Sequence, residues 1–357
     1  MGNAHLIEGD NLEILRALHV THAGKVRCVY IDPPYNTQHP LAYNDRRTSG
    51  EWAAMMRERL TAALPLLERE GSVWISIDDN EIATLRSVGD AVFGRSNFVA
   101  TVIWQKRLNR ENRSTFSQAH EYVVIYAKDA AAFKKARHPI PAPDLGEKYK
   151  NPDNDPRGSW QPTPFTVQAG HATASQTYIF VTPAGRSVAP PPGRAWAVTR
   201  ECLDALVAGG EVWFGKNGTS APSRKKYLSS ATLALTPSTI WFAEEVGDNA
   251  SARVALIKLM DGDARFDTPK PVGLIRRVLE IATNTDSVVL DFFAGSGTTA
   301  QAVAELNAAD GGSRECFLIQ SPETFATGGG KIFDYMAARV RRVWAEEFCF
   351  EYSSEGA

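Results

Sequence analysis

The 357-residue chain is sparing with cysteine. Its four cysteines, Cys28, Cys202, Cys316 and Cys349, stand far apart and form no CxxC pair. Neither a zinc site nor a disulfide framework is expected, no metal is called for, and reduced thiols of a cytoplasmic protein are the plain reading. No run of about 18 uninterrupted apolar residues is present, which argues against a membrane-spanning helix. Residues 1–10 are neither basic nor apolar enough for a signal peptide. Internal repeats are lacking. So is an excess of charge of either sign: 39 Lys and Arg stand against 41 Asp and Glu, a formal net charge of -2. Any affinity for nucleic acid must therefore come from local patches.

A hydrophobic content of 43% and a charged content of 22% are those of a globular chain able to bury a core. The first part alternates strand and helix. Val26–Ile31 and Ser72–Ile77 read as buried parallel strands, the first stopping at Asp32-Pro33-Pro34 and the second at Asp78-Asp79. Between them, Trp52, Met55, Met56, Leu60, Ala63, Leu64 and Leu67 recur at helical spacing, and Pro65 should end or kink that helix. Ile82, Leu85, Val88 and Val92 mark a second helix. Phe98–Trp104 and Tyr122–Ala127 are two further strands joined by a polar loop. From about 129 to 262 the chain turns rich in Pro and Gly and loses long periodic helices. The alternation then returns with a helix after Pro271, a strand over Ser287–Phe293, a glycine turn, a helix over Thr298–Leu306 and a strand over Glu315–Gln320. A basic, helix-compatible run, Tyr335–Phe348, follows. This pattern gives an α/β fold: a mixed, mostly parallel, doubly wound sheet of seven strands with an irregular insertion.

Two motifs carry chemistry. The first is Asp32-Pro33-Pro34-Tyr35 at the carboxyl end of a strand, where open α/β sheets bind ligands. An exocyclic ring amine is a poor nucleophile because its lone pair is delocalised. Two acceptors aimed at its N–H bonds would favour a tetrahedral nitrogen and free that pair. The Asp32 carboxylate suits one role, and the Pro33 carbonyl, held by the stiff Pro-Pro unit, suits the other. Tyr35 supplies a face on which an extruded base stacks. Taken alone, the same four residues are equally a strand-terminating turn. The second motif is Asp291-Phe292-Phe293-Ala294-Gly295-Ser296-Gly297-Thr298, a strand running into a glycine turn and a helix N-terminus. With Ala300 in the third position it fits the looser dinucleotide fingerprint, so a nicotinamide cofactor stays open on this turn alone. It equally suits the zwitterionic end of S-adenosylmethionine. A nicotinamide oxidoreductase would leave Asp32–Tyr35 unexplained.

The stretches YIDPPYNTQ, WISIDDNE, FGRSNFVATVIWQK, HEYVVIYAK, FDTPKPVGLI and VVLDFFAGSGTTAQAV resemble the β group of DNA amino-methyltransferases, in which the DPPY segment precedes the glycine segment. The chain resembles most the modification subunits of type III restriction–modification systems. That resemblance implies a Rossmann-like methyltransferase fold with permuted motif order, S-adenosylmethionine as cofactor, and methylation of N6 of a flipped adenine in double-stranded DNA. It assigns Asp10 to the cofactor adenine and Thr268, Pro269 and Lys270 to the flank of the methionine end. Gln320 or Glu323 takes the place of the family's ribose-binding acid. A homodimer and a restriction nuclease subunit are partners known in the family, and the chain, shorter than those subunits, also suits a stand-alone enzyme. N4-cytosine methylation has the same geometry, though that group more often carries Ser at the position of Asp32. A recognition subunit with little activity of its own is the other alternative.

The expected division is 1–128 and 263–329 for the two halves of the catalytic domain, 129–262 for a target-recognition insertion, and 330–357 for a tail. Two basic patches suit DNA phosphates: Lys106, Arg107, Arg110 and Arg113 after the strand ending at Trp104, and Lys216, Arg224, Lys225 and Lys226 in the insertion. His120 reads as structural. Arg339, Arg341 and Arg342 read as the face of a surface helix.

Overall fold

A computed structural model describes residues 2–37, 47–110, 115–326, 329–345 and 348–353. Among these, nine strands form the main sheet: Ala4–Glu8 (β1), Val26–Ile31 (β2), Leu67–Ile77 (β3), Phe98–Gln105 (β4), His120–Ala127 (β5), Ile240–Trp241 (β6), Val288–Asp291 (β7), Glu315–Gln320 (β8) and Cys349–Ser353 (β9). Their order is β6-β4-β5-β3-β2-β7-β8-β1-β9. β5 runs antiparallel to both of its neighbours, while every other pairing is parallel. The fold is therefore the mixed, mostly parallel α/β sheet that the alternation predicts.

All six residues of β2 are buried, as in a strand covered on both faces. On one face, Val29, Ile31, Val73 and Ile75 join Leu15 of helix α1 (Asn11–His22), Trp52, Met56 and Leu60 of α2 (Ser49–Ala63), and Leu85 and Val88 of α3 (Ile82–Phe93) in a single core. On the other face Trp74 meets Phe133 of the short helix α4 (Ala130–Ala136). Thr48 and Glu51 form a reciprocal capping box that starts α2, and the turn containing Pro65 ends it.

The sheet exceeds the expected seven strands because two-residue β6 and terminal β9 add edges. β3 begins at Leu67 rather than Ser72: a register shift against β2 lets the polar stretch Glu68-Arg69-Glu70-Gly71 belong to the strand. Four helices complete the part near the site: α5 (Asn249–Leu259), α6 (Val272–Ala282), α7 (Thr298–Asp310) and α8 (Ile332–Val343).

The chain divides into two compact units, residues 1–139 with 237–357, and residues 140–236. The second is thus narrower than the 129–262 expected. α4, β6 and α5 fall in the first unit. Residues 140–236 have their own core of Phe165, Phe180, Trp196, Leu203 and Phe214. Around it lie a three-stranded antiparallel sheet (Trp160–Pro164, Val212–Trp213, Ser223–Tyr227), three two-stranded pieces and one helix, Arg200–Ala208. Among the described residues no helix is long and apolar enough to cross a membrane, and no group of His, Cys, Asp and Glu is placed to hold a metal ion.

Candidate active site

β2 and β7 are adjacent and parallel, so Asp32 after β2 and Asp291 at the end of β7 emerge at the same edge of the sheet. Both line one cavity of about 490 Å³. Permuted order is no obstacle, because the sheet brings together what the chain separates.

Asp32 has two different oxygens. Oδ2 lies 2.9 Å from the Lys270 ammonium. Oδ1 is buried and accepts no hydrogen bond from the described residues. Burial raises the Asp32 carboxyl above its ordinary range, and Lys270 opposes that rise. The Pro34 carbonyl is committed to the Trp52 indole N–H at 2.7 Å. Pro33 is buried, while Pro34 and Tyr35 line the cavity. The Tyr35 hydroxyl donates to Glu121 Oε2 at 3.1 Å, and the Lys270 ammonium lies 4.9 Å from the centre of its ring.

The glycine turn forms the other wall. Asp291 is 3% exposed; it accepts from the Thr299 hydroxyl at 2.5 Å and the Phe293 N–H at 3.1 Å. Burial pushes its carboxyl up to about 7, with those two donors pulling back. Phe292, Phe293, Ala294, Gly295, Ser296 and Thr298 line the cavity. Gly297, just behind them, has φ +79°, and a Cβ there would lie 2.9 Å from Met336 Cγ, so no side chain fits.

The expected cofactor residues divide. Thr268 and Pro269 line the cavity, Thr268 exposed and Pro269 buried. Lys270 reaches the Asp32 carboxylate instead of standing apart from it. Gln320 spends its amide oxygen on the Gly295 N–H at 2.9 Å, whereas Glu323 is exposed on the rim. Asp10 is the N-cap of α1, accepting from the N–H groups of Leu12 and Glu13, and it also faces the cavity and pairs with Arg59 at 3.5 Å.

The basic patches also divide. Lys106 turns inward to Glu121 at 3.0 Å and lines the cavity, so it is no surface contact. Arg107 and Arg110 are exposed, and Arg113 lies outside the described residues. In the 140–236 unit, alternation along Ser223–Tyr227 turns Arg224 and Lys226 out and Lys225 in. Lys225 is 7% exposed between Asp153 at 2.5 Å and Asp155 at 2.7 Å, which makes it an internal ion pair. Lys216 is exposed. His120 bonds Tyr122 at 2.9 Å and does not line the cavity.

Two residues of the site are not visible from sequence motifs. Glu121 is the sole acid in a strand of buried apolar residues, and that mismatch was its signal. Arg339 is not on a helix surface: it is 2% exposed and donates to the Ser296 carbonyl, the Ser296 and Thr298 hydroxyls and the Gln301 amide oxygen.

Fold and site together define a Rossmann-like α/β protein whose acidic turn and glycine turn share one cavity. Residues 26–309 match the family model described as DNA methylase, of the N6/N4 type, and the chain belongs to that family. It is 35% identical, over 96% of its length, to the Mod subunit of the type III restriction–modification enzyme StyLTI of Salmonella typhimurium, covering 58% of that relative. It is 30% identical, over 94% of its length, to the type II methyltransferase M.KpnI of Klebsiella pneumoniae, covering 86% of it. The chain thus spans about three fifths of the first type III relatives it matches. Among solved structures, PvuII DNA methyltransferase, cytosine-N4-specific, shares the fold with a TM-score of 0.50 at 15% identity, covering 97% of this chain and 88% of that one.

Proposed function

We propose that this chain transfers a methyl group from S-adenosylmethionine to N6 of an adenine flipped out of double-stranded DNA, as part of a restriction–modification system or as a stand-alone modification enzyme. The observation that carries this reading is Asp32, whose Oδ1 is an uncommitted buried acceptor beside the cavity that Asp291 shares. With the Pro34 carbonyl bonded to Trp52, the Pro33 carbonyl is the second acceptor assigned to the amine. Tyr35, which lines the cavity, offers a stacking face for the base.

The cavity suits the cofactor. A glycine turn without room for a side chain, a helix N-terminus and the buried Asp291 are what a zwitterionic amino-acid end asks for. When bound, the cofactor supplies a methyl group already activated on a sulfonium, so no covalent enzyme nucleophile is required. Asp291 would hold the ammonium, the N–H groups at the start of α7 would hold the carboxylate, and Glu323 on the rim would hold the ribose in preference to Gln320, whose amide oxygen is taken by Gly295. Asp10 stands for the cofactor adenine.

Asp32 supports adenine over N4-cytosine as the target on the family resemblance, because the N4 group more often carries Ser at this position. Mapping modified bases in the genome of cells expressing the chain tests this. N6-methyladenine at one recurring sequence is expected; N4-methylcytosine there would replace the substrate, and unmodified DNA together with an inactive purified chain would replace the function. A restriction nuclease subunit and a homodimer are proposed as partners on the likeness to type III Mod subunits.

We assign target recognition to residues 140–236, with Lys216, Arg224 and Lys226 on phosphates and Arg107 and Arg110 at the catalytic edge. The double variant Lys216→Glu, Lys226→Glu should weaken DNA binding and flatten its salt dependence, by about 0.9 in the log–log slope for each phosphate no longer neutralised. Fluorescence anisotropy over a salt series checks this, and an unaltered slope would remove both lysines from the interface.

A further inference from the structure

Four ionisable side chains from four separate segments, Asp32 among them, meet at the cavity. Lys270, from the segment before α6, is 9% exposed, and Glu121 on β5 is 5% exposed. The Lys270 ammonium is 2.9 Å from Asp32 and 3.5 Å from Glu121. Lys106, just after β4, closes on the other oxygen of Glu121 at 3.0 Å. Two carboxylates and two ammoniums thus balance in a place where an unbalanced charge would be costly. The remaining titratable neighbours of Asp32 are Tyr35 on its own loop, Tyr30 on β2 and Asp291 on β7, while Asp78 after β3 faces Glu121. Each of these is neutral or acidic, so Lys270 is the one cation directly on Asp32 among the described residues. A protonated Asp32 would lose most of its strength as an acceptor for an amine N–H.

We propose that Lys270 and Glu121 are positioning residues: Lys270, pinned by Glu121, holds Asp32 as the carboxylate, and Glu121 fixes the Tyr35 ring through the same Oε2 that faces Lys270. The charge of the amine acceptor and the orientation of the stacking face are then set by one buried cluster. This rests on the reading of Asp32 as that acceptor, and it moves Lys270 from the cofactor's methionine end to the catalytic carboxylate. Glu121 itself is driven up by burial but held below its ordinary range by Lys270 and Lys106, and burial works against the Lys270 ammonium while the two carboxylates raise it. The directions for Glu121 and Lys270 favour their charged forms, whereas burial outweighs Lys270 at Asp32 and makes that cation the main group holding its proton affinity down.

The signs separate this role from a merely structural one. Lys270→Met removes the cation and raises the Asp32 carboxyl; Glu121→Gln removes a competing anion and lowers it; Lys270→Arg keeps the charge and stays near the parent. Carbon-13 carboxyl NMR of the full-length, cofactor-free protein, with the Asp32 signal assigned through Asp32→Asn, reads the titration directly. A rise of about one pH unit, tenfold in proton affinity, is expected for Lys270→Met, with a fall for Glu121→Gln. The acid limb of the pH–rate profile should move the same way, so that Lys270→Met regains activity as pH rises. If Lys270→Met does not fold, the fall for Glu121→Gln beside a near-parent Lys270→Arg carries the test. An unmoved Asp32 titration together with weakened cofactor binding would overturn the proposal and return Lys270 to the cofactor. Shifted titrations in a protein that methylates nothing would support the charge-setting role and remove only the proposed reaction.

Discussion

Asp32→Ala should lower methyl transfer by on the order of a hundred- to a thousandfold, the loss found when one preorganised group at a reacting centre is removed. Cofactor affinity should stay within a few-fold. The two effects separate because Asp32 and the glycine turn sit on different strands, β2 and β7, and touch different groups. Asp32 touches Lys270, whereas the turn is held by Gln320, Thr299 and Arg339. The fold should tolerate the change, since Lys270 keeps Glu121 and Lys106 keeps its own bond to the same acid. Single-turnover transfer of labelled methyl groups, beside calorimetric titration of the cofactor, measures both. Full activity in this variant would rule out Asp32 as the acceptor for the target amine.

Arg339→Met should weaken cofactor binding roughly 10- to 100-fold, from hydrogen bonds to a charged group worth about 1.5–3 kcal/mol. The guanidinium is buried with neutral acceptors only: the Ser296 carbonyl and hydroxyl, the Thr298 hydroxyl and the Gln301 amide. Burial lowers its proton affinity to about 10, still far above neutral pH, so it stays charged. A buried cation without a carboxylate costs free energy, and methionine of similar length removes that cost along with the hydrogen bonds. Thermal stability should therefore change less than affinity does. What disappears is the clamp that α8 places on the turn, together with a positive charge at the start of α7 where an anionic end is expected. Calorimetry on the DNA-free protein gives the affinity, and an unchanged dissociation constant in a folded variant would reduce Arg339 to a packing residue.

The parts of this site that were legible in the sequence are those where one local signal suffices. Contiguous apolar runs marked β2, β7 and β8, and the turns Asp32–Tyr35 and Asp291–Thr298 ended strands as expected. The direct pairing of β2 with β7 is a finding of the structure. What escaped depended on partners remote in the chain. Ile240–Trp241 is too short to show a period, and it is a strand because β4 is there to receive it. Arg339 looks like any arginine in a basic helix, since periodicity says which face is apolar but not that a polar turn from residues 296–301 covers it. Lys225 and Lys106 read as surface charge until Asp153, Asp155 and Glu121 are brought against them. The motif of Lys270 placed it at this cavity, but not its ion pair with Asp32, because a lysine stem is long enough to choose between neighbouring anions.

The strand pair β2–β7 also dictates when the cavity first exists. Its two members are separated by the whole of residues 140–236 and more, and a closure over such a distance is entropically slow to find, though its cost grows only with the logarithm of length. During synthesis the acidic turn leaves the ribosome long before the strand that completes the crevice has been made. A nascent chain that has not passed Asp291 carries that turn without the wall opposite it.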